Sequence, residues 1–365
     1  MERFDQRMGV GQVDYVALPV GPGEQRMTVG CGIYLTEYAG VPVAIAIRRP
    51  NEKFAQPEAL IEVISPERET ITALLDDLRE RSLASSVLRG KVISLVASSG
   101  GPSDNPTYSF EERPDLGADD VILPEGALEQ ISTHVLGIAE NADQLRRHGQ
   151  HLKRGILLYG PPGSGKTHTV RYLLSKATEQ TVVLLSGAAL SKLGAATTIA
   201  RSMQPAIVVL EDCDLIAQDR DSAPAGAKPL LFELLDAMDG LDGDSDITFL
   251  LTTNRPDQLE TALAQRPGRV DVAVEIPLPN RPARLALLRL YRGDAPFSDD
   301  ALESIADQTE GMTASFAKEL MRRAILLAVL ADEDPADAHL ERALADLSAA
   351  EHELTRSLLG NASPE

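Results

Sequence analysis

Gly160-Pro161-Pro162-Gly163-Ser164-Gly165-Lys166-Thr167 lies between an apolar run, Gly155-Ile156-Leu157-Leu158-Tyr159, and a helical pattern that begins at His168-Thr169-Val170. The order is strand, phosphate loop, helix. Glycines at 160, 163 and 165 let backbone N–H groups turn inward around a polyphosphate. Lys166 supplies a point charge for the β and γ phosphates of ATP, and the Thr167 hydroxyl is a Mg²⁺ ligand. Pro161, Pro162 and Ser164 complete the loop, and His168, Val121 and Ile122 join it as candidate nucleotide contacts. The competing reading is a glycine-rich turn without a ligand. The strand before it and the helix after it tell against that.

Outward from the loop, short apolar runs alternate with helical patterns. The strand candidates are residues 155–159, 181–185, 206–210, 247–252 and 270–276, continuous in Val, Ile and Leu as buried parallel strands are. The fold class expected is α/β, a phosphate-loop parallel sheet with helices on both faces. Hydrolysis needs a second metal anchor and a group that activates water. Ala206-Ile207-Val208-Val209-Leu210-Glu211-Asp212-Cys213 delivers acids at the carboxyl end of a buried strand, where such a sheet places its site. Four apolar residues lead directly into Glu211, which assigns Glu211 to the metal and Asp212 to the attacking water. A register shifted by one would put the Cys213 thiol in the water-polarising place, with little basicity. The 249–254 run ends in Asn254, placed to orient that water opposite the two acids. Arg266 and Arg269 flank Pro267-Gly268 and project from a turn. They are either solvated surface charges or arginine fingers that reach the γ-phosphate of a neighbouring subunit.

The 365 residues are too many for one core. Hydrophobic content of 43% and charged content of 25% are those of a soluble globular chain. A net charge of −20 argues against a nucleic-acid backbone as partner. No apolar run approaches a membrane span, and MERFDQRMGV lacks the apolar core of a signal peptide, so the cytoplasm is the expected location. Cys31 and Cys213 are too few and too scattered for a disulfide framework or a zinc site.

Three domains follow. Residues 1–113 read as a small α+β N-terminal domain: irregular to about residue 20, two strands within 27–47 turning near Ala39-Gly40, a strand at 59–64, an amphipathic helix over 70–88 and a strand at 91–96. Residues 114–280 form the nucleotide-binding domain, which opens with a helix at 125–140. Residues 281–365 read as an all-helical tail, with helices at 281–291, 299–308, 314–331 and 335–359.

GPPGSGKT, VVLEDCD, LLTTNRP and RPGRVD, in that order, resemble the motifs of the AAA+ ATPases, in the branch that includes FtsH and the proteasomal ATPases. The likeness covers roughly residues 114–325. It implies a P-loop NTPase fold with a helical lid, ATP and Mg²⁺ as ligands, and ATP hydrolysis by a ring of identical subunits, usually six. Residue by residue, Asn254 is similar to sensor 1, and Arg266 and Arg269 look like the two trans-acting arginines. Residues 229–241, ending in Asp239, Gly240 and Leu241, look like the subunit-signalling segment. The family's central-pore loop aligns with 189–194, where Lys192 or Leu193 stands in place of the usual aromatic. The family orders its acids Asp then Glu, and here the order is reversed. No HExxH is present, so the protease half of FtsH is lacking. The resemblance therefore implies remodelling, unfolding or disassembly of a protein client. The alternative is a slow-turnover scaffold or switch that binds ATP and assembles without threading polypeptide.

Overall fold

Alternation of apolar and polar residues from Glu24 onward builds an antiparallel sheet of four strands, β1 (Asp14–Gly21), β2 (Glu24–Tyr38), β3 (Val41–Arg48) and β4 (Leu60–Ile64), paired in that order. The computed structural model describes residues 14–49, 59–96, 108–213, 244–256 and 270–359, and the single positions 234, 236 and 238. The turn between β2 and β3 holds Ala39 and Gly40 at φ 50° and 81°. Two consecutive left-handed residues match the twist of a tight hairpin. β1 corrects the expectation of irregular chain to residue 20. Pro19 and the glycines at 21 and 23 hide its pattern, and an edge strand tolerates the missing donor of a proline. Helix α1 (Arg68–Ala84) buries Thr70 and Leu74. It stops short of the expected residue 88, at Ser85, whose backbone leaves the helical region at φ −104° and ψ 19°.

A second sheet contains β5 (Val92–Leu95), β6 (Tyr108–Glu111), β7 (Arg154–Tyr159), β8 (Thr181–Ser186), β9 (Ala206–Glu211), β10 (Ile247–Thr253) and β11 (Val272–Glu275), ordered β11-β7-β10-β9-β8-β5-β6. The five strands expected from the sequence are all in it. Two more were read into the N-terminal domain or missed. β5 runs parallel to β8, with Val92 opposite Val182, and β6 adds an antiparallel edge. Ile156, Leu158, Val208, Val209 and Phe249 are fully buried, the reason these strands read as unbroken apolar runs. Helix α2 (Lys166–Lys176) follows β7, and α3 (Leu193–Ser202) follows β8.

The chain divides into two compact units, residues 1–113 with 179–208, and 114–178 with 209–365. In the second, residues 127–140 are helical as expected but change to π-helix over Thr133–Gly137. The Val135 carbonyl there accepts from Arg154, which also bonds Leu152 O and pairs with Asp246 at 2.8 Å. At 3% exposed, this arginine pins the start of β7.

The segment expected to form the lid is α4 (Arg281–Arg292), α5 (Asp299–Gln308), α6 (Ala314–Leu330) and α7 (Asp337–Leu359). Asn280, Ser298 and Thr313 cap the first three through their side-chain oxygens, and Leu288, Leu302, Ile305, Leu320, Met321 and Leu340 form the core. Thr313→Ala is expected to lower stability by about 1 kcal/mol, read as a reduced denaturation midpoint of the lid transition, because the Phe316 N–H loses its acceptor. Arg322 and Arg323 both bond Glu319 and hold its carboxyl down to about 2, which makes them charges of the helix surface.

Candidate nucleotide site

β7 ends at Tyr159, and the chain must then pass under the segment after β11. Gly160 takes φ 150°, and a Cβ there would lie 2.1 Å from the Ile276 carbonyl oxygen, so only glycine fits. Gly163 and Gly165 hold φ 75° and 116°, and α2 starts at the next residue. The Lys166 ammonium is folded inside the loop, donating to Gly160 O and Pro161 O at 2.8 Å each. The buried Ser164 hydroxyl oxygen has no hydrogen-bond partner. A cradle that a side chain would fill, an orphaned hydroxyl and an inward ammonium fit a phosphate chain.

The carboxyl end of β9 separates its two acids. The Thr167 hydroxyl hydrogen-bonds the half-buried Glu211 carboxylate. Burial pushes the Glu211 carboxyl above its ordinary range. The bond from Thr167 and the Arg171 charge oppose the rise, and the Asp212 charge adds to it. Asp212 is left-handed at φ 53°, a conformation that Asp and Asn tolerate better than most residues. This breaks the strand's alternation and turns Asp212 away, so that its Oδ1 accepts from Asn254 Nδ2 at 3.3 Å. The Asp212 N–H bonds Thr252 Oγ1, and Cys213, fully buried, gives its N–H to Thr252 O and its thiol to Leu210 O. Thr252 thus holds the turn that points the acids apart. Sequence reading missed it, although a Thr-Thr pair closing an otherwise apolar strand is a visible cue.

His168 Nε2 bonds the Asp120 carbonyl at 2.8 Å. Val121, next to it, is 7% exposed, and Ile122 packs against the lid core. The Ser315 N–H donates to Gly163 O at 3.1 Å, a contact that sequence reading did not single out. The 120–122 segment, the loop and the start of α6 therefore meet around the loop. Thr167 and Glu211 offer one hydroxyl and one carboxylate, the donor set of a Mg²⁺ ion held largely by phosphate and water. No cluster of three or more His, Cys, Asp or Glu side chains among the described residues forms an all-protein metal site.

Arg266 and Arg269, and Asp239, Gly240 and Leu241, lie outside the described residues. Of the pore-loop candidates in the first unit, Leu193 is 1% exposed and Lys192 is half-buried. No described helix is long and apolar enough to cross a membrane.

Residues 156–278 match the family model described as "ATPase family associated with various cellular activities (AAA)". The chain is 34% identical over 201 residues to 26S proteasome regulatory subunit 10B of Dictyostelium discoideum, covering 52% of this chain and 51% of that protein. It is 32% identical over 237 residues to the proteasome-activating nucleotidase of Methanocaldococcus jannaschii, covering 60% and 54%. With the ATP-dependent zinc metalloprotease FtsH of Marinobacter nauticus it shares 30% over 246 residues, 63% of this chain and 38% of that one. The matched region is thus about half the length of the proteasomal relatives and less of FtsH. Its phosphate loop, divergent acids and polar strand end all fall within residues 156–278, the part that matches the AAA family model.

Proposed function

We propose that this protein hydrolyses ATP with Mg²⁺ and uses the cycle to remodel, unfold or disassemble a protein client as a ring of identical subunits. The observation that carries the reading is the divergence of the acids, Glu211 onto Thr167 and Asp212 onto Asn254. Lys166 and the loop N–H groups bind the triphosphate. Mg²⁺, held by Thr167 and Glu211, would neutralise charge on the β and γ phosphates. Asp212 takes the proton of a water that Asn254 orients. That water attacks the γ-phosphorus, the bond to the bridging oxygen breaks, and ADP and inorganic phosphate leave. Arg266 and Arg269 of the adjacent subunit stabilise the charge that spreads over the γ-phosphoryl oxygens. The names of the relatives, proteasomal and proteolytic, support a protein as client.

The buried Leu193 favours a second reading, a slow scaffold that assembles on ATP and threads nothing. Steady-state hydrolysis measured with and without an unfolded protein separates the two, since only a remodeller is stimulated. Arg269→Ala is expected to keep nucleotide binding and lose at least about tenfold in turnover in an assembled sample. Full turnover there would remove the trans-arginine role.

A further inference from the structure

Every residue of β10 is buried, and for packing alone a valine at 252 would serve as well as Thr252. A hydroxyl at a position 1% exposed is tolerated only when bonded, and Thr252 Oγ1 accepts the Asp212 N–H at 3.0 Å. The Thr252 carbonyl accepts the Cys213 N–H at 2.8 Å, and from the end of the same strand Asn254 Nδ2 donates to Asp212 Oδ1 at 3.3 Å. Three bonds from one strand end thus hold the Asp212 turn and its carboxylate. β10 lies between β9, which carries the acids, and β7, which carries the loop. On the β7 side Thr253 stands opposite Tyr159, and its carbonyl accepts the Gly160 N–H at 3.3 Å. The tip of β10 is therefore bonded to Asp212 on one side and to the first residue of the phosphate loop on the other.

We infer that Thr252 is a positioning residue for hydrolysis, through whose hydroxyl β10 sets the place of the Asp212 carboxylate relative to the phosphate loop. The inference deepens the proposed ATPase reading and rests on it. A residue at φ 53° keeps that conformation only where its surroundings determine it, and the bond to Thr252 Oγ1 is one that a side chain, not the strand ladder, supplies. Asp also reaches one methylene less far than Glu, so a small swing of the turn withdraws its carboxylate from a water at the γ-phosphate. A displacement of about 1 Å from the productive geometry costs up to about a hundredfold in rate. Nucleotide binding, by contrast, falls to Lys166 and the loop, which the Thr252 hydroxyl does not bond. Its removal therefore separates turnover from binding.

The test compares Thr252→Val and Thr252→Ser in the full chain. Valine keeps the volume and the carbonyl that Cys213 bonds but offers no acceptor to the Asp212 N–H, whereas serine keeps the acceptor. Hydrolysis of ATP with Mg²⁺ is followed in steady state and in single turnover, with binding of a fluorescent nucleotide and the denaturation midpoint measured alongside. Thr252→Val is expected to lower kcat by at least about tenfold and to hold nucleotide affinity within about twofold, and Thr252→Ser to recover most of the rate. Added to Asp212→Asn, Thr252→Val is expected to cost no more than about a further twofold, because the hydroxyl acts through that carboxylate. Full kcat in Thr252→Val overturns the inference, even with a lowered midpoint, since the bond is then structural only. Equal losses of kcat and affinity, a serine variant as slow as the valine one, or a full additional loss on top of Asp212→Asn overturn it too. A wild type that hydrolyses no ATP shows a different failure: it removes the ATPase reading itself, and the inference with it.

Discussion

Asp212→Asn slows steady-state ATP hydrolysis by roughly 10²–10³-fold and leaves ATP bound, whereas Glu211→Gln raises the Mg²⁺ concentration needed for half-maximal turnover. The assignment follows from where each carboxylate is tied. Glu211 shares a hydrogen bond with the hydroxyl of Thr167, the loop position proposed to ligate Mg²⁺. Asp212 is turned toward Asn254 by a left-handed backbone that Thr252 secures. A neutral amide at 212 preserves the bond pattern but cannot take a proton from water, so ATP stays trapped. Single-turnover hydrolysis with a Mg²⁺ titration measures both effects. If Glu211→Gln traps ATP and Asp212→Asn shifts the Mg²⁺ requirement, the roles are exchanged. The reversed acid order also finds a cause. A residue at φ 53° favours a short polar side chain, so Asp rather than Glu suits the water-facing place.

Lys166→Ala abolishes measurable hydrolysis and weakens ATP binding by about two orders of magnitude. Lys166 is 6% exposed and its ammonium bonds two loop carbonyls. Its loss therefore removes the charge proposed to meet the phosphates and the ammonium's bonds to Gly160 O and Pro161 O, of which Pro161 O keeps the 3.3 Å bond from the Ser164 N–H. Lys166→Met keeps most of the side-chain volume and separates packing from charge. Binding measured with a fluorescent nucleotide should be equally weak in both variants, while only the alanine variant should also lower the denaturation midpoint by more than a degree or two. Retained hydrolysis in either would end the case for this loop as the phosphate site.

Much of this was legible in the residues. The phosphate loop announces itself because backbone N–H groups can converge only where glycines stand, and at Gly160 the tolerance is set by a carbonyl 2.1 Å from any added Cβ. The buried strands were readable because two covered faces demand unbroken apolar runs. The bounds of the last four helices agree to within two residues, the first three capped locally by Asn280, Ser298 and Thr313. What escaped depends on distant pairing. β5 has the same local pattern whether it pairs with β4 or β8, so its sequence could not place it. β1 was hidden by Pro19. Thr252 acts through a hydrogen bond to a residue forty positions earlier in the chain, Asp212, which periodicity does not reveal. Leu193, at a position that aligns with the family's pore loop, is buried, because alignment speaks of position, not of which way a helix start faces.

The bond from the Ser315 N–H to Gly163 O makes the loop the fulcrum of α6. That helix has 17 residues, so at 1.5 Å per residue it is about 25 Å long. A tilt of about 10° at the fulcrum swings its far end, Leu330, by about 4 Å. A small adjustment at the loop is thus magnified at the far end of the helix, with no gearing beyond one rigid rod.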